Sequence, residues 1–177
     1  MNAAWDWLPW QKRLNERTER VVCVAAGRRI GKKSWLWRWL ENQAFNCDGL
    51  GRAYLAPTQF QSKIATDAYR TNLGTGIKTA DWRHVGALYA LAIYEPAYCD
   101  PVLMRILMKR ARFVRMAGTP RGRDHFWSRW THGHMSGNWY SERVSTWNAG
   151  LVSREEILGL CETLPPDLRK QEFEAVV

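Results

Sequence analysis

The chain has 177 residues, with 26 Lys and Arg against 17 Asp and Glu and a formal net charge of +9. An apolar fraction of 46% with 11 Trp and only 7 Pro excludes a disordered chain and suffices for one domain with a buried core. No apolar run approaches the ~20 residues of a membrane span, and the N-terminus lacks the basic start and apolar core of a signal peptide, so an intracellular, cytoplasmic protein is expected. Val21–Ala26 is an unbroken apolar run that reads as a buried strand, and it breaks into Gly27-Arg28-Arg29-Ile30-Gly31-Lys32-Lys33-Ser34. A helix over Lys32–Phe45 follows, with Leu36, Trp39, Leu40 and Gln43 along a face. Trp35, Trp37 and Trp39 alternate and cannot share that face, so at least one is expected to be exposed.

Arg52–Ala56 reads as a second strand, ended by Pro57-Thr58, which caps a helix from near Gln59 to about Arg70. Thr71 to Thr79, with Gly74 and Gly76, reads as a loop. Ala87–Tyr94 is a strand of the kind buried on both faces in a parallel sheet. Arg112–Ala117 is another, followed by the Gly118-Thr119-Pro120 turn, and Trp139–Thr146 is a fifth. Helices over Ser153–Leu164 and Pro166–Ala175, with Ser153 and Asp167 as caps, close the chain.

Strands alternating with helices predict βαβ units and one α/β domain with a mostly parallel sheet. Ligands in such sheets sit at the carboxyl ends of strands. Arg28 to Lys33, Pro57-Thr58, Glu95 and Gly118-Thr119-Pro120 all fall at such ends. The first of these is close to the phosphate loop G-x-x-x-x-G-K-[ST], in which backbone N–H groups wrap phosphate oxygens, a lysine reaches the outer phosphates and a hydroxyl holds Mg²⁺. With Gly31-Lys32 as the GK pair, Ala26 replaces the first glycine and Lys33 sits at the hydroxyl position. With Lys33 as the lysine, Ser34 is in place but Lys32 displaces a glycine. The first register is preferred, because a bulky residue at the second glycine pushes the backbone away from the phosphates. An ordinary strand, turn and basic helix start is the blander alternative.

Cys23, Cys47, Cys99 and Cys161 are scattered without a C-x-x-C pair, which favours buried thiols over disulfides or zinc. His132-Gly133-His134 is too short a cluster to argue for a metal. The 19 Arg against 7 Lys make a polyanionic partner plausible. Lys109-Arg110-Ala111-Arg112 and Arg115, with Arg121 and Arg123, are the densest basic stretch and a candidate DNA path, or else a solvated face. Trp127 and Trp130, three apart, fit a core better than a base-stacking platform.

In their order and spacing these segments resemble one family, the ATPase half of phage large terminase subunits, the motors that package DNA. The matching pieces are Leu8-Pro9-Trp10-Gln11, Gly27-Arg28-Arg29-Ile30-Gly31-Lys32, Tyr54-Leu55-Ala56-Pro57-Thr58 with Gln61-Ser62-Lys63, and Ala92-Ile93-Tyr94-Glu95. Ala117-Gly118-Thr119-Pro120-Arg121-Gly122 is similar to the coupling motif, and Ser153-Arg154-Glu155-Glu156-Ile157 and Gln171-Glu172-Phe173 resemble lid-side helices. The resemblance implies a P-loop NTPase fold (RecA/ASCE-like) in three layers. Residues 1–20 would form an adenine-side segment containing Gln11, and residues 150–177 a helical lid-like tail, with no nuclease domain.

It also implies ATP as ligand, held by Gln11, Gly27, Gly31, Lys32, Lys33 and Ser34. Arg28 or Arg29 would neutralise charge at the γ-phosphate, Glu95 would orient the attacking water and Thr119 would sense the γ-phosphate. Implied partners are double-stranded DNA, the portal, the small terminase subunit and further copies of the chain, in the host cytoplasm and away from membranes. Two departures bear on Mg²⁺, since Lys33 replaces the hydroxyl residue and Tyr94 the aspartate that usually anchor it. Hydrolysis is therefore expected to be impaired. Either Lys33 substitutes for the ion, or Lys33 pairs with Glu95 and the site is empty. A non-catalytic module binding DNA or the packaging complex, or a prophage remnant, is the alternative. The segment between Arg70 and Ala87 is shorter than in the family, which suggests a lost strand or hairpin.

Overall fold

The computed structural model describes residues 6–46, 50–58, 61, 77–79 and 86–177. They form α1 (Pro9–Asn15), β1 (Val21–Ala26), α2 (Lys32–Asn42), β2 (Gly51–Leu55), β3 (Ile77–Thr79), β4 (Leu88–Tyr94), α3 (Pro101–Arg110) and β5 (Ala111–Gly118). The order continues with α4 (His125–Gly133), β6 (Trp139–Val144), α5 (Thr146–Ala149), α6 (Arg154–Glu162) and α7 (Pro166–Arg169), which runs into a π-helical turn at Lys170–Glu174. The strands make one sheet in the order β3-β2-β4-β5-β1-β6, every neighbouring pair parallel.

Period-2 alternation divides the sheet's side chains between two cores. Val22, Val24 and Ala26 face Trp10 and Leu14 of α1 and the tryptophans of α2, whereas Val21 and Cys23 face Met104 and Leu107 of α3 and Phe126 of α4. The result is the three-layer α/β sandwich expected from the alternating segments. The sheet is all parallel, so its strands are apolar on both faces. Asp100 and Asp124 start α3 and α4 by accepting backbone N–H groups two and three residues on. Ser153 caps α6 by accepting the Glu156 N–H three residues on, as expected.

Several expectations need correction. Trp35, Trp37 and Trp39 are all buried, at 0%, 3% and 2% exposure. The helix carrying them is covered by both α1 and the sheet: Trp35 meets Trp10 of α1, Trp37 meets Tyr54 of β2, and Trp39 lies under the Arg115 guanidinium of β5, which leaves Ser34, Arg38, Glu41 and Asn42 as its less buried face. The predicted loop 71–79 contains β3, in which Ile77 to Thr79 pair with Arg52 to Tyr54, a run too short to show a period. α2 stops at Asn42 and gives way to a 3₁₀ turn over Gln43–Asn46, while the buried Arg52 donates to the Leu40 carbonyl near its end. Pro165, not Asp167, is the N-cap of α7, and Pro166 at the first position leaves Asp167 in the first turn. The helix predicted to run to Ala175 is α-helical only to Arg169.

Cys23, Cys99 and Cys161 are free and buried, and Cys47 lies outside the described residues. The helix predicted from Gln59 to Arg70 also lies outside them, except Gln61, whose N–H donates to the Thr58 hydroxyl. Among the described residues no helix is long and apolar enough to cross a membrane.

Candidate nucleotide site

The carboxyl ends of β1, β2, β4 and β5 open on a cavity of about 810 Å³ lined by Arg28 to Lys33, Pro57, Thr58, Tyr94, Glu95 and Thr119, and closed over by α6 and the π turn through Leu160 and Phe173. β5 lies between β1 and β4, so Thr119 at its end stands between the loop after β1 and Glu95 after β4. The polar strand ends expected to converge do so here.

At the floor is the Lys32 ammonium, only 6% exposed. It donates to the Thr119 hydroxyl at 2.8 Å and to the Ala26 and Gly27 carbonyls at 3.3 and 3.0 Å, and it pairs with Glu95 Oε1 at 3.0 Å. Burial lowers its pKa from the ordinary lysine value, and the Glu95 carboxylate partly restores it. Glu95 Oε2 accepts the Thr119 backbone N–H at 2.8 Å, so both carboxylate oxygens are engaged. The Thr119 hydroxyl in turn donates to the Ala26 carbonyl at 3.1 Å.

The backbone here is strained. Glu95 has φ +48° and Arg29 φ +53°, and Ala175, beyond the π turn, is the third non-glycine residue with positive φ among those described. Such conformations cost of order 1–3 kcal/mol each and persist only where the surroundings impose them. Gly31, at φ +84°, is the N-cap of α2 and supplies a turn that other residues rarely adopt. Gly118 has no room for a side chain, since a Cβ would lie 2.5 Å from Pro96 and 3.1 Å from Glu95.

The remaining expected residues are placed as follows. Gln11 is buried behind the loop, its amide donating to the Gly31 carbonyl at 3.2 Å and its carbonyl accepting the Leu8 N–H at 3.1 Å, so it braces the loop. Gly27 donates to the Val144 carbonyl, and a Cβ there would collide with Thr146 and Phe173. Ser34 donates to the Gly31 carbonyl and does not line the cavity. Lys32 rather than Lys33 meets Glu95, which disposes of the expected Lys33–Glu95 pair. Lys33 is half-buried, lines the cavity, and has no hydrogen-bond or carboxylate partner among the described residues.

Arg28 and Arg29 are each held from the C-terminal segment. Arg28 pairs with Glu172 at 2.7 Å and its N–H donates to the Glu172 carbonyl at 2.7 Å, while Arg29 pairs with Glu156 at 2.6 Å. Neither glutamate was singled out as a site residue. The motifs carrying them were legible as lid-side helices, but the pairing was not.

The donor set of this cavity is poor for a divalent cation: Lys33 and Tyr94 line it without supplying an anionic oxygen, and its carboxylates, Glu95 and Glu172, are tied to Lys32 and Arg28. Burial and the neighbouring Glu95 raise the Tyr94 phenol above its ordinary value, so it is neutral at physiological pH. Among the described residues no group of three His, Cys, Asp or Glu side chains gathers. His132 and His134 pack edge-on against Trp139 and Trp130.

The basic stretch proposed as a DNA path does not form one surface. Arg115 is buried, donating to the Arg17 and Glu19 carbonyls. Lys109 and Arg110 end α3 at the amino edge of the sheet, whereas Arg121 and Arg123 follow β5 at its carboxyl edge. An eight-residue strand separates the two groups by roughly 20 Å or more. Trp127 and Trp130 stack on each other at 4.7 Å and are half-buried, Trp130 against the second core.

No model of a known protein family matches this chain, and no curated protein matches its sequence. Solved structures do match. The large terminase ATPase domain of Thermus phage P74-26 aligns over 93% of this chain and 91% of its own length, with a TM-score of 0.76 at 16% identity. The large terminase of the thermophilic bacteriophage D6E aligns over 97% of this chain with a TM-score of 0.75 at 10% identity, and its complex with ADP gives 0.76 at 10%. This chain spans about half, 53%, of the D6E protein. With six parallel strands in one sheet and the loop, the Glu95 turn and the Thr119 turn on one edge, the fold of this chain is that of the ATPase domains of phage large terminases.

Proposed function

We propose that this chain is a nucleotide-binding, ATPase-like module of the large-terminase kind, acting in viral DNA packaging with ATP as its ligand and slow turnover. The observation that carries the reading is the Lys32–Glu95–Thr119 cluster on the floor of a cavity made by a glycine-flanked basic loop. Phosphate oxygens entering this cavity displace Glu95 from Lys32, and Lys32 moves its charge to the outer phosphates. Glu95, released from Lys32 and still tied to the Thr119 N–H, is then placed to orient a water. Thr119 links the two, so loss of the outer phosphate returns its hydroxyl and Glu95 to Lys32. The misfit for a cation removes the usual means of neutralising charge on the transferred phosphoryl group, which accounts for slow turnover.

Calorimetric titration with ATP, ADP and ATPγS tests the reading. Saturable binding of all three is expected, with little phosphate release even when double-stranded DNA is added. No heat from any of them up to about 1 mM would sink it.

A second reading is favoured by the two arginine–glutamate pairs, which satisfy Arg28 and Arg29 without a ligand. On this reading the chain is a non-catalytic module that binds double-stranded DNA or docks onto packaging proteins such as a portal, a small terminase subunit or another motor copy. Salt-sensitive DNA binding without nucleotide binding would select it.

A further inference from the structure

We infer that the cavity binds a nucleoside di- or triphosphate without a divalent cation, the Lys33 ammonium standing in for the ion. The inference rests on the nucleotide reading above. Of the four cations on the loop, Arg28, Arg29 and Lys32 each have a carboxylate partner, and Lys33 has none among the described residues. Lys33 is nonetheless half-buried and lines the same cavity. A cation drawn partly out of water without a counter-charge is unfavourable, so the position calls for an anion.

Its place in the helix makes the case stronger. Lys32 and Lys33 are the first two residues of α2, whose first turn holds no acidic residue. Two ammonium groups therefore sit against the positive end of the helix dipole, the reverse of the usual preference. Glu95 compensates Lys32, but nothing among the described residues compensates Lys33, and a local rule broken without compensation on a cavity wall points to binding. An anion seated there is attracted by both lysines and by the loop N–H groups.

The charge balance points the same way. A magnesium ion with an aspartate contributes about +1 to such a site, and a lysine with a neutral tyrosine also contributes about +1.

The test is calorimetric titration of the whole chain with ATP and with ADP, in excess Mg²⁺ and again in excess EDTA. The two conditions are expected to give dissociation constants within about threefold of each other. In EDTA, Lys33→Thr is expected to weaken ATP binding by about tenfold or more, and Lys33→Arg to retain it. Binding that appears only with Mg²⁺ overturns the inference and leaves the nucleotide reading standing. Wild-type affinity in EDTA for Lys33→Thr and Lys33→Met, both folded by circular dichroism, overturns the role of Lys33. Silence with both nucleotides in both conditions overturns the nucleotide reading and this inference with it. If the Lys33 variants do not fold, the Mg²⁺ and EDTA comparison on the wild-type chain still decides the central claim.

Discussion

At the amino edge of the sheet two arginines are held by backbone carbonyls, though Arg17 beside them pairs with Glu19; at the carboxyl edge three cations have carboxylate partners, Lys32 with two carbonyls as well. At the amino edge, Arg20 donates to the Met108 and Ala111 carbonyls, and Arg115 to the Arg17 and Glu19 carbonyls. At the carboxyl edge, Arg28, Arg29 and Lys32 pair with Glu172, Glu156 and Glu95. A carbonyl oxygen carries only partial charge and is repelled by an incoming anion far less than a carboxylate, so Arg20 and Arg115 act as structural ties that hold the segment between α1 and β1 against β5. A carboxylate is repelled by an incoming phosphate and competes with it for the same cation. The carboxyl-edge cations line the cavity, so on the nucleotide reading their pairs are exchangeable, whereas Arg20 and Arg115 are structural.

The largest effect expected from this distinction is on stability at the amino edge. Arg115 is 3% exposed, and Arg115→Met leaves two backbone carbonyls without their donor and removes the cover over Trp39. A loss of about 2–4 kcal/mol in urea unfolding is expected, with nucleotide affinity unchanged in the folded protein. Next is Lys32→Met, which is expected to weaken ATP binding by about 100-fold, or ~2.7 kcal/mol, in calorimetry. If Arg115→Met abolished binding while leaving stability intact, the assignment of the two edges would be wrong.

The sequence displayed the strands and the loop better than it displayed these partnerships. β1 and β4 were legible because strands buried on both faces read as unbroken apolar runs, and the loop after β1 because glycines and cations interrupt one of them. β3 was not, because three residues carry no period. The tryptophans of α2 misled because a face argument assumes one narrow covered side, whereas α1 and the sheet, with Arg115 on it, together cover all three tryptophans. Lys32 and Glu95 were recognisable as site residues, yet which lysine met Glu95 depended on the direction of side chains at the start of α2. Glu156 lies 127 positions from Arg29, and nothing local to either residue announces the pair.

Those pairs give the next test of exchangeability. The side chains of Arg28 and Arg29 are 60% and 58% exposed, so each pair contributes little to stability. The double variant Glu156→Gln with Glu172→Gln is expected to leave the melting temperature nearly unchanged. It also removes two negative charges from beside the phosphates and frees both guanidinium groups, so ATP affinity is expected to rise by about three- to tenfold at low salt and by less at high salt. Unchanged affinity at low salt would mean that the glutamates do not compete with the ligand.

The smallest and most diagnostic effect is on pH dependence, where Lys32 acts with opposite signs on binding and on folding. Burial holds its pKa below the ordinary 10.5 despite Glu95. As pH rises through that lowered value the folded chain loses the ammonium, so ATP affinity falls before an ordinary lysine would titrate. In the same window the unfolded chain still holds the proton that the folded chain has released, so this group's contribution to stability rises with pH. The buried thiols Cys23 and Cys99 act oppositely on stability above about pH 9, because burial raises both, Cys99 to about 12, and the unfolded chain loses their protons first. Arg115, lowered to about 10, shares the stabilising sign of Lys32 but touches no ligand. The difference between the wild-type chain and Lys32→Met cancels the thiols and Arg115 alike. As pH rises toward the ordinary lysine value of 10.5, that difference is expected to show affinity falling while stability rises. Affinity flat across the range would place Lys32 outside the binding step.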